Sequence, residues 1–182
     1  WLTGLRVQAI DGGAVRRVER PAGTRFTSPS WSPDGRSIAM LVDQPGGMAL
    51  WVADAAAGTA REVFGARVNA ATGGGFNWLP DSSGLLVQAV PEGRGAPPDT
   101  SVPPSGPILA ETGAQAAPVR TYQDLLRNAG DEALFDHYFT SQLTLVPLNG
   151  AAREIGSPGV MLGTSVSPDG RYILQTRAKR PY

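Results

Sequence analysis

The 182-residue chain carries 16 basic and 16 acidic side chains, a formal charge of zero, which leaves no electrostatic footprint for nucleic acid or an anionic membrane. It has no cysteine, which excludes disulfides, thiol catalysis and zinc–thiolate clusters, and no apolar run near the roughly 20 residues that span a bilayer. With 23 glycines, 16 prolines and short apolar runs, the composition favours an all-β protein rich in turns over a helical bundle.

In chain order, residues 5–18 read as two strands joined at Asp11-Gly12-Gly13, a composition that supplies the positive φ of tight hairpins. Trp31-Ser32-Pro33-Asp34-Gly35-Arg36 then precedes the apolar run Ile38-Ala39-Met40-Leu41. Proline fixes φ at the first turn position, aspartate bonds the local backbone, and glycine takes the left-handed conformation that a Cβ resists. A second hairpin follows, from Leu50-Trp51-Val52-Ala53-Asp54 through Ala57-Gly58-Thr59 to Arg61-Glu62-Val63. Both shapes return. The turn reappears in decayed form at Trp78-Leu79-Pro80-Asp81-Ser82-Ser83-Gly84, ahead of Leu85-Leu86-Val87, and nearly intact at Ser167-Pro168-Asp169-Gly170, ahead of Tyr172-Ile173-Leu174. The second hairpin recurs as Leu143–Leu148, Asn149-Gly150 and Arg153-Glu154-Ile155. Pro33, Asp34, Gly35, Pro80, Asp81, Pro168, Asp169 and Gly170 are therefore read as structural turn residues, not as a catalytic set.

Spacing gives the architecture. Pro33 to Pro80 is 47 residues and Val18 to Val63 is 45, matching the period of about 40–50 residues of a four-stranded propeller blade. The expected fold is an all-β, partial (open) β-propeller of four-stranded antiparallel blades with a loop-plus-short-helix insertion. Residues 1–20 would end one blade and 24–65 would form a complete blade, with strands ending near Trp31 and at 36–42, 49–54 and 60–64. Residues 72–156 would form a blade interrupted by an insertion at about 91–141, and 160–182 would begin another. Two to three blades cannot close a ring, so the chain is expected to be a segment of a longer protein.

The interruption shows as a doubled interval, 88 residues from Pro80 to Pro168. Residues 91–118 hold seven of the prolines, a composition unsuited to interior strands and read as an extended loop. Two short helices are expected after it, at 120–127 and 131–139, the second with Ala133 or Leu134 against His137 and Tyr138 at helical spacing and Asp131 as its cap. An insertion of about 45 residues between the second and third strands of one blade fits better than a degenerate blade.

Constellations that mimic active sites read more simply as structure. Gly163-Thr164-Ser165-Val166-Ser167 has serine where a nucleophile elbow needs its second glycine, and a turn rather than a helix follows. Gly73-Gly74-Gly75 lacks the Lys and Ser/Thr of a phosphate-cradling loop and suits a connection between blades. His137 is the only histidine, so a site needing two cannot form, and structural or surface use is the preferred reading. Asp131, Glu132 and Asp136 lie on or beside the expected helix, where carboxylates more often cap and solvate than do acid–base work. Arg120 and Arg127 could present a positive rim to an acidic ligand, but plain solvation is the preferred reading. Trp31, Trp51 and Trp78 occupy repeat positions and read as packing residues.

Trp-Ser-Pro-Asp-Gly-Arg followed by Leu-Trp-Val-Ala-Asp resembles the WD40-like propeller repeats of TolB-type proteins and of the prolyl oligopeptidase family of serine peptidases. The stretch Pro118–Leu126, Asp131-Glu132-Ala133-Leu134-Phe135 and Tyr138–Leu143 is similar to the N-terminal propeller region of bacterial members of that family, particularly its glutamyl-endopeptidase-like branch. The resemblance implies a propeller over an α/β-hydrolase catalytic domain of the same parent chain, admitting peptide substrate and excluding folded proteins. The catalytic serine, aspartate and histidine would lie in that domain. No residue here matches them, and no cofactor, metal, nucleic acid or membrane partner is implied. In related dipeptidyl peptidases a helical insertion carries paired glutamates for the substrate amino terminus. Asp131-Glu132 is superficially similar but has one Glu and a different following strand. A preference for acidic side chains would call for Arg120 and Arg127. Arg120, Arg127, Asp131, Glu132 and His137 are thus the substrate-contact candidates. A TolB-like, non-catalytic propeller that binds other proteins is the alternative. The residues leave the compartment open, with a periplasmic or secreted one preferred to the cytoplasm.

Overall fold

The structure, a computed structural model, describes residues 2–19, 21–100, 126 and 128–182. A short antiparallel pair, β1 (Leu5–Val7) and β2 (Arg16–Val18), opens the chain. Its strands are shorter than the sequence implies, because residues 8–15 form a broad loop in which the Gln8 side chain donates to the Gly13 carbonyl. Next come β3 (Phe26–Trp31), β4 (Ser37–Gln44), β5 (Gly47–Asp54) and β6 (Ala60–Val68), an antiparallel meander. A second meander consists of β7 (Phe76–Trp78), β8 (Gly84–Ala89), β9 (Thr140–Pro147) and the first half of β10 (Arg153–Val166). The second half of β10 pairs with β11 (Ile173–Arg177). A single pairing, Val68 opposite Ala89, joins the two meanders. The fold is mostly β, antiparallel throughout the described residues, with one short helix, α1 (Ala129–Phe139).

The central strands are apolar on both faces because each meander is covered on both sides. From β4, Ala39 and Leu41 join Leu50, Val52, Val68, Leu85, Val87 and Val146 in the core between the two meanders. The alternate residues Ile38, Met40 and Val42 face the other way, packing with Val18, Phe26 and Ala53 beneath β1–β2. On the far side of β8, Leu86 meets Leu143 and Met161. A run such as Ile38–Val42 thus lacks the polar alternation of a half-solvated strand.

β10 runs unbroken where the sequence suggested two strands. Its register shifts between Ile155 and Gly159, and the buried Gln142 amide fills the irregularity by donating to the carbonyls of Leu143, Ile155 and Gly156 at 3.0–3.3 Å. Such a bulge bends a strand and lets it leave one sheet for the next.

β8 and β9 pair side by side, with Ala89 opposite Gln142, so everything between them in sequence is inserted at one hairpin. Of that stretch, residues 91–100 contain no strand. The anticipated helix at 120–127 lies outside the described residues, apart from Leu126, which is not helical. The second helix is present but begins earlier than expected. Asn128, not Asp131, caps it: the Asn128 side chain accepts from the Asp131 N–H at 3.0 Å, and its amide returns a bond to the Asp131 carboxylate at 3.0 Å. The residue three places before the donating N–H is the one whose side chain can reach it, which puts the cap at Asn128 and Asp131 in the first turn.

Candidate functional site

The three proline–aspartate turns share one geometry. In each, the residue before proline donates its N–H five residues ahead, Ser32 to Ser37, Leu79 to Gly84 and Ser167 to Tyr172, at 2.8–2.9 Å. The aspartate gathers its neighbours. Asp34 accepts from the Ser32 hydroxyl at 2.6 Å and the Arg36 N–H at 3.0 Å. Asp81 accepts from the Ser83 hydroxyl and N–H, and Asp169 from the Ser167 hydroxyl and the Arg171 N–H. These serine hydroxyls first, and the backbone donors second, hold all three carboxyls below the ordinary aspartate range. Gly35 and Gly170 occupy the left-handed region at φ +70°, and Ser82 sits in the matching place at +61°.

The turns also touch. The Asp34 N–H donates to the Ser82 hydroxyl at 3.1 Å, while Pro80, Asp81, Pro168 and Asp169 line a shallow cleft of about 310 Å³ between the second and third turns. Behind them, the Trp78 indole N–H reaches the Ser30 carbonyl at 3.2 Å, and the Asn77 amide reaches both the carbonyl and hydroxyl of Thr164 at 3.1 Å. Every carboxylate in this row is occupied within its own turn, which gives the row a structural role.

The root of the insertion gathers more varied chemistry. No residue of α1 is buried. At its C-terminal end the buried Asn69 amide, just past β6, donates to the carbonyls of Tyr138 and Thr140 at 2.9 and 3.1 Å. On its outer face, Arg180 bonds Asp136 through Nε at 2.9 Å and Nη2 at 2.6 Å, and Glu132 through Nη1 at 2.9 Å. The Tyr182 hydroxyl donates to the other Asp136 oxygen, and its ring meets Phe135 edge-on at 4.9 Å; Phe135 also stacks on Phe139 at 4.5 Å. Asp136 raises the pKa of Arg180, and desolvation, then Asp136, raises that of Tyr182.

Of the substrate-contact candidates, Arg120 and Arg127 lie outside the described residues. Asp131 is engaged with the helix cap, Glu132 with Arg180, and half-buried His137 lies edge-on to Tyr138 at 4.9 Å. The structure therefore brings Glu132 and Asp136 together, one turn apart, and gives them an arginine. Ser165 sits in the ladder opposite Leu174, in extended strand. The three glycines 73–75, all at positive φ, link β6 to β7, and a Cβ on Gly75 would come within 2.8 Å of Val68. Among the described residues, no three His, Asp or Glu side chains are placed to hold a metal.

Trp51 and Trp78 pack against the two cores, but Trp31 is half exposed on the wall of an open cleft of about 750 Å³ that also involves Ile10, Arg16, Arg36 and Asp54. Asn69, Asn128, Gln142, Arg180 and Tyr182 are the structurally decisive polar residues that sequence reasoning missed. Only Asn128 carried a sequence signal, as a cap-forming residue just ahead of a helical pattern.

The chain matches no family model. It is 40% identical over 197 aligned residues to a rice (Oryza sativa subsp. japonica) protein described as a probable chloroplastic glutamyl endopeptidase, covering all of this chain and 21% of that one. The Arabidopsis thaliana protein of the same description is 39% identical over 196 residues, with 100% and 20% covered. The chain thus spans about a fifth of the length of these curated relatives. A looser likeness, TM-score 0.39 at 16% identity, covers 98% of this chain and 44% of TolB from Acinetobacter baumannii in its crystal structure.

Proposed function

We propose that the chain is a β-propeller segment of a glutamyl-endopeptidase-like serine peptidase of the prolyl oligopeptidase type, which screens access to a catalytic domain elsewhere in the parent protein. The observation that carries this reading is the 40% identity to a probable glutamyl endopeptidase across the whole chain, insertion included. The stacking of the meanders supports the propeller. Counting from the turns, Ala39, Leu86 and Leu174 are equivalent. Ala39 is covered by the second meander and Leu86 by β10, whereas Leu174 is 72% exposed on β11. Trp31 is likewise open where its equivalent, Trp78, bonds the preceding meander. A propeller supplies a further blade on each open side, and burying a leucine there contributes about 1.5–3 kcal/mol.

In this reading no side chain of the segment performs bond chemistry. Its sheets form the wall, and the insertion rooted at α1 is the part that varies the opening. The complete protein, treated with a fluorophosphonate and with peptides containing glutamate, should label on one serine outside these residues and cleave after glutamate. Absence of both labelling and hydrolysis would overturn the peptidase reading in favour of a non-catalytic binding propeller.

A further inference from the structure

We infer that Arg180 is a positioning residue: it latches α1, and with it the root of the insertion, to the chain that follows β11. The inference rests on the propeller-gate reading for its functional consequence, but not for the latch itself. A helix of 11 residues is marginal alone in water, and such helices are ordinarily fixed by burying an apolar stripe. α1 has no buried residue, and from within it is held by its Asn128 cap and the Phe135–Phe139 stack. Among the described residues, most of what ties it to the rest of the fold is polar. Asn69 ties down its C-terminal end from β6. Arg180 spans Glu132 and Asp136, which lie on one helix face because they are four residues apart, and uses all three guanidinium nitrogens to do so. Isolated surface ion pairs contribute little, but a forked guanidinium shared by two carboxylates is the geometry in which they count. Tyr182 adds a hydroxyl bond to the free oxygen of Asp136 and ring contact with Phe135, so the segment after β11 grips both the charged and the aromatic side of the helix.

The latch joins different parts of the repeat. α1 is inserted between β8 and β9, whereas Arg180 follows β11, which pairs with the far half of β10. The insertion of one unit is thereby referenced to the next, and Glu132 and Asp136 are committed to an internal cation. A lysine carries the charge but not the fork, so it can restore only part of the contact.

The test is hydrogen exchange on the complete protein, wild type against Arg180→Ala, Arg180→Lys and the neighbouring charge control Lys179→Ala. Exchange across 129–139 should quicken about tenfold in Arg180→Ala, less in Arg180→Lys and not in Lys179→Ala, with β4 and β8 unchanged. Near 1 M salt, where the screening length is about 3 Å, the wild type should move towards Arg180→Ala. In the peptidase, KM for long peptides should change with fluorophosphonate labelling unaltered. Unchanged exchange across 129–139 in Arg180→Ala would overturn the latch, as would an equal effect of Lys179→Ala. Absence of fluorophosphonate labelling in the wild type would instead sink the peptidase reading and leave the exchange result standing.

Discussion

Residues Ile38 to Val42 in β4 are at most 3% exposed, while no residue of α1 is buried, although α1 emerges from a hairpin packed in the same core. The strand is held by apolar contact on two faces and is indifferent to any one polar partner. Among the described residues, the helix is held by Asn69, Arg180, Tyr182, the Phe135–Phe139 stack and its own Asn128 cap, and each of these can be removed singly. Burial is non-directional and sums over many atoms, so it fixes the sheets as one body. Hydrogen bonds and ion pairs are directional and few, so they fix an angle without adding much global stability. The sheets and the helix are therefore held by different forces.

The largest expected effect lies in the sheets. Leu50→Ala, at a wholly buried position in the core between the meanders, should lower the stability of the intact protein by about 2–5 kcal/mol in denaturant unfolding. Phe135→Ala, which removes the helix's stacked ring, should leave that midpoint nearly unchanged while exposing 129–139 to exchange. Equal global losses in the two variants would erase the distinction between the regions.

Asn69 comes next, because it is a buried group serving the unburied region. Asn69→Ala leaves the Tyr138 and Thr140 carbonyls without their donor, and about 1–3 kcal/mol of local stability should go, read as faster exchange around 136–142. Asn69→Asp should be worse than alanine, since it points a carboxylate oxygen at two carbonyls. If Asp is tolerated better than Ala, the amide is not the anchor.

The difference between the regions also decides what the sequence reveals. The Ser-Pro-Asp-Gly turns and the apolar runs beside them are local patterns with a local cause, so the turns, the strands after them and the interruption before β9 can all be read from spacing. The cap of α1 lies three residues before the expected one because Asp131 and Asn128 both have capping side chains, and only the backbone geometry chooses between them. The continuity of β10 through 156–159 was hidden because the residue that makes it possible, Gln142, acts from the neighbouring strand. Asn69 and Arg180 leave no pattern at all: their partners are 69 residues on and 44 residues back.

A smaller effect should appear in acid, and it belongs to the turns rather than to either the strands or the helix. The carboxyls of Asp34, Asp81 and Asp169 are all depressed by serine hydroxyls and backbone donors. A depressed carboxyl stabilises the fold fully above its unfolded pKa of about 3.9, and the contribution fades as pH falls through the lower folded values. The urea midpoint should therefore drop below about pH 4, and Asp34→Asn, Asp81→Asn and Asp169→Asn combined should flatten that drop at the cost of a lower midpoint at neutral pH. An unaltered acid slope in the triple variant would show that the turns do not report on folding.

The smallest effect separates the decayed turn from its two relatives. Ser82 holds φ +61° where Gly35 and Gly170 hold +70°, a conformation that costs a residue with a Cβ roughly 1–2 kcal/mol. It keeps the position because its hydroxyl accepts the Asp34 N–H of the preceding turn, a bond worth about 0.5–1.5 kcal/mol. Ser82→Ala loses the bond and keeps the strain, whereas Ser82→Gly loses both. The glycine variant should therefore exceed the alanine variant by about 1 kcal/mol and fall within about 1 kcal/mol of wild type, by denaturant midpoint. Asp34→Ala, which keeps the donating N–H, should leave the Ser82→Gly and Ser82→Ala order intact. If both variants fell equally far below wild type, the link between turns, rather than the backbone of the second turn, would be what serine was retained for.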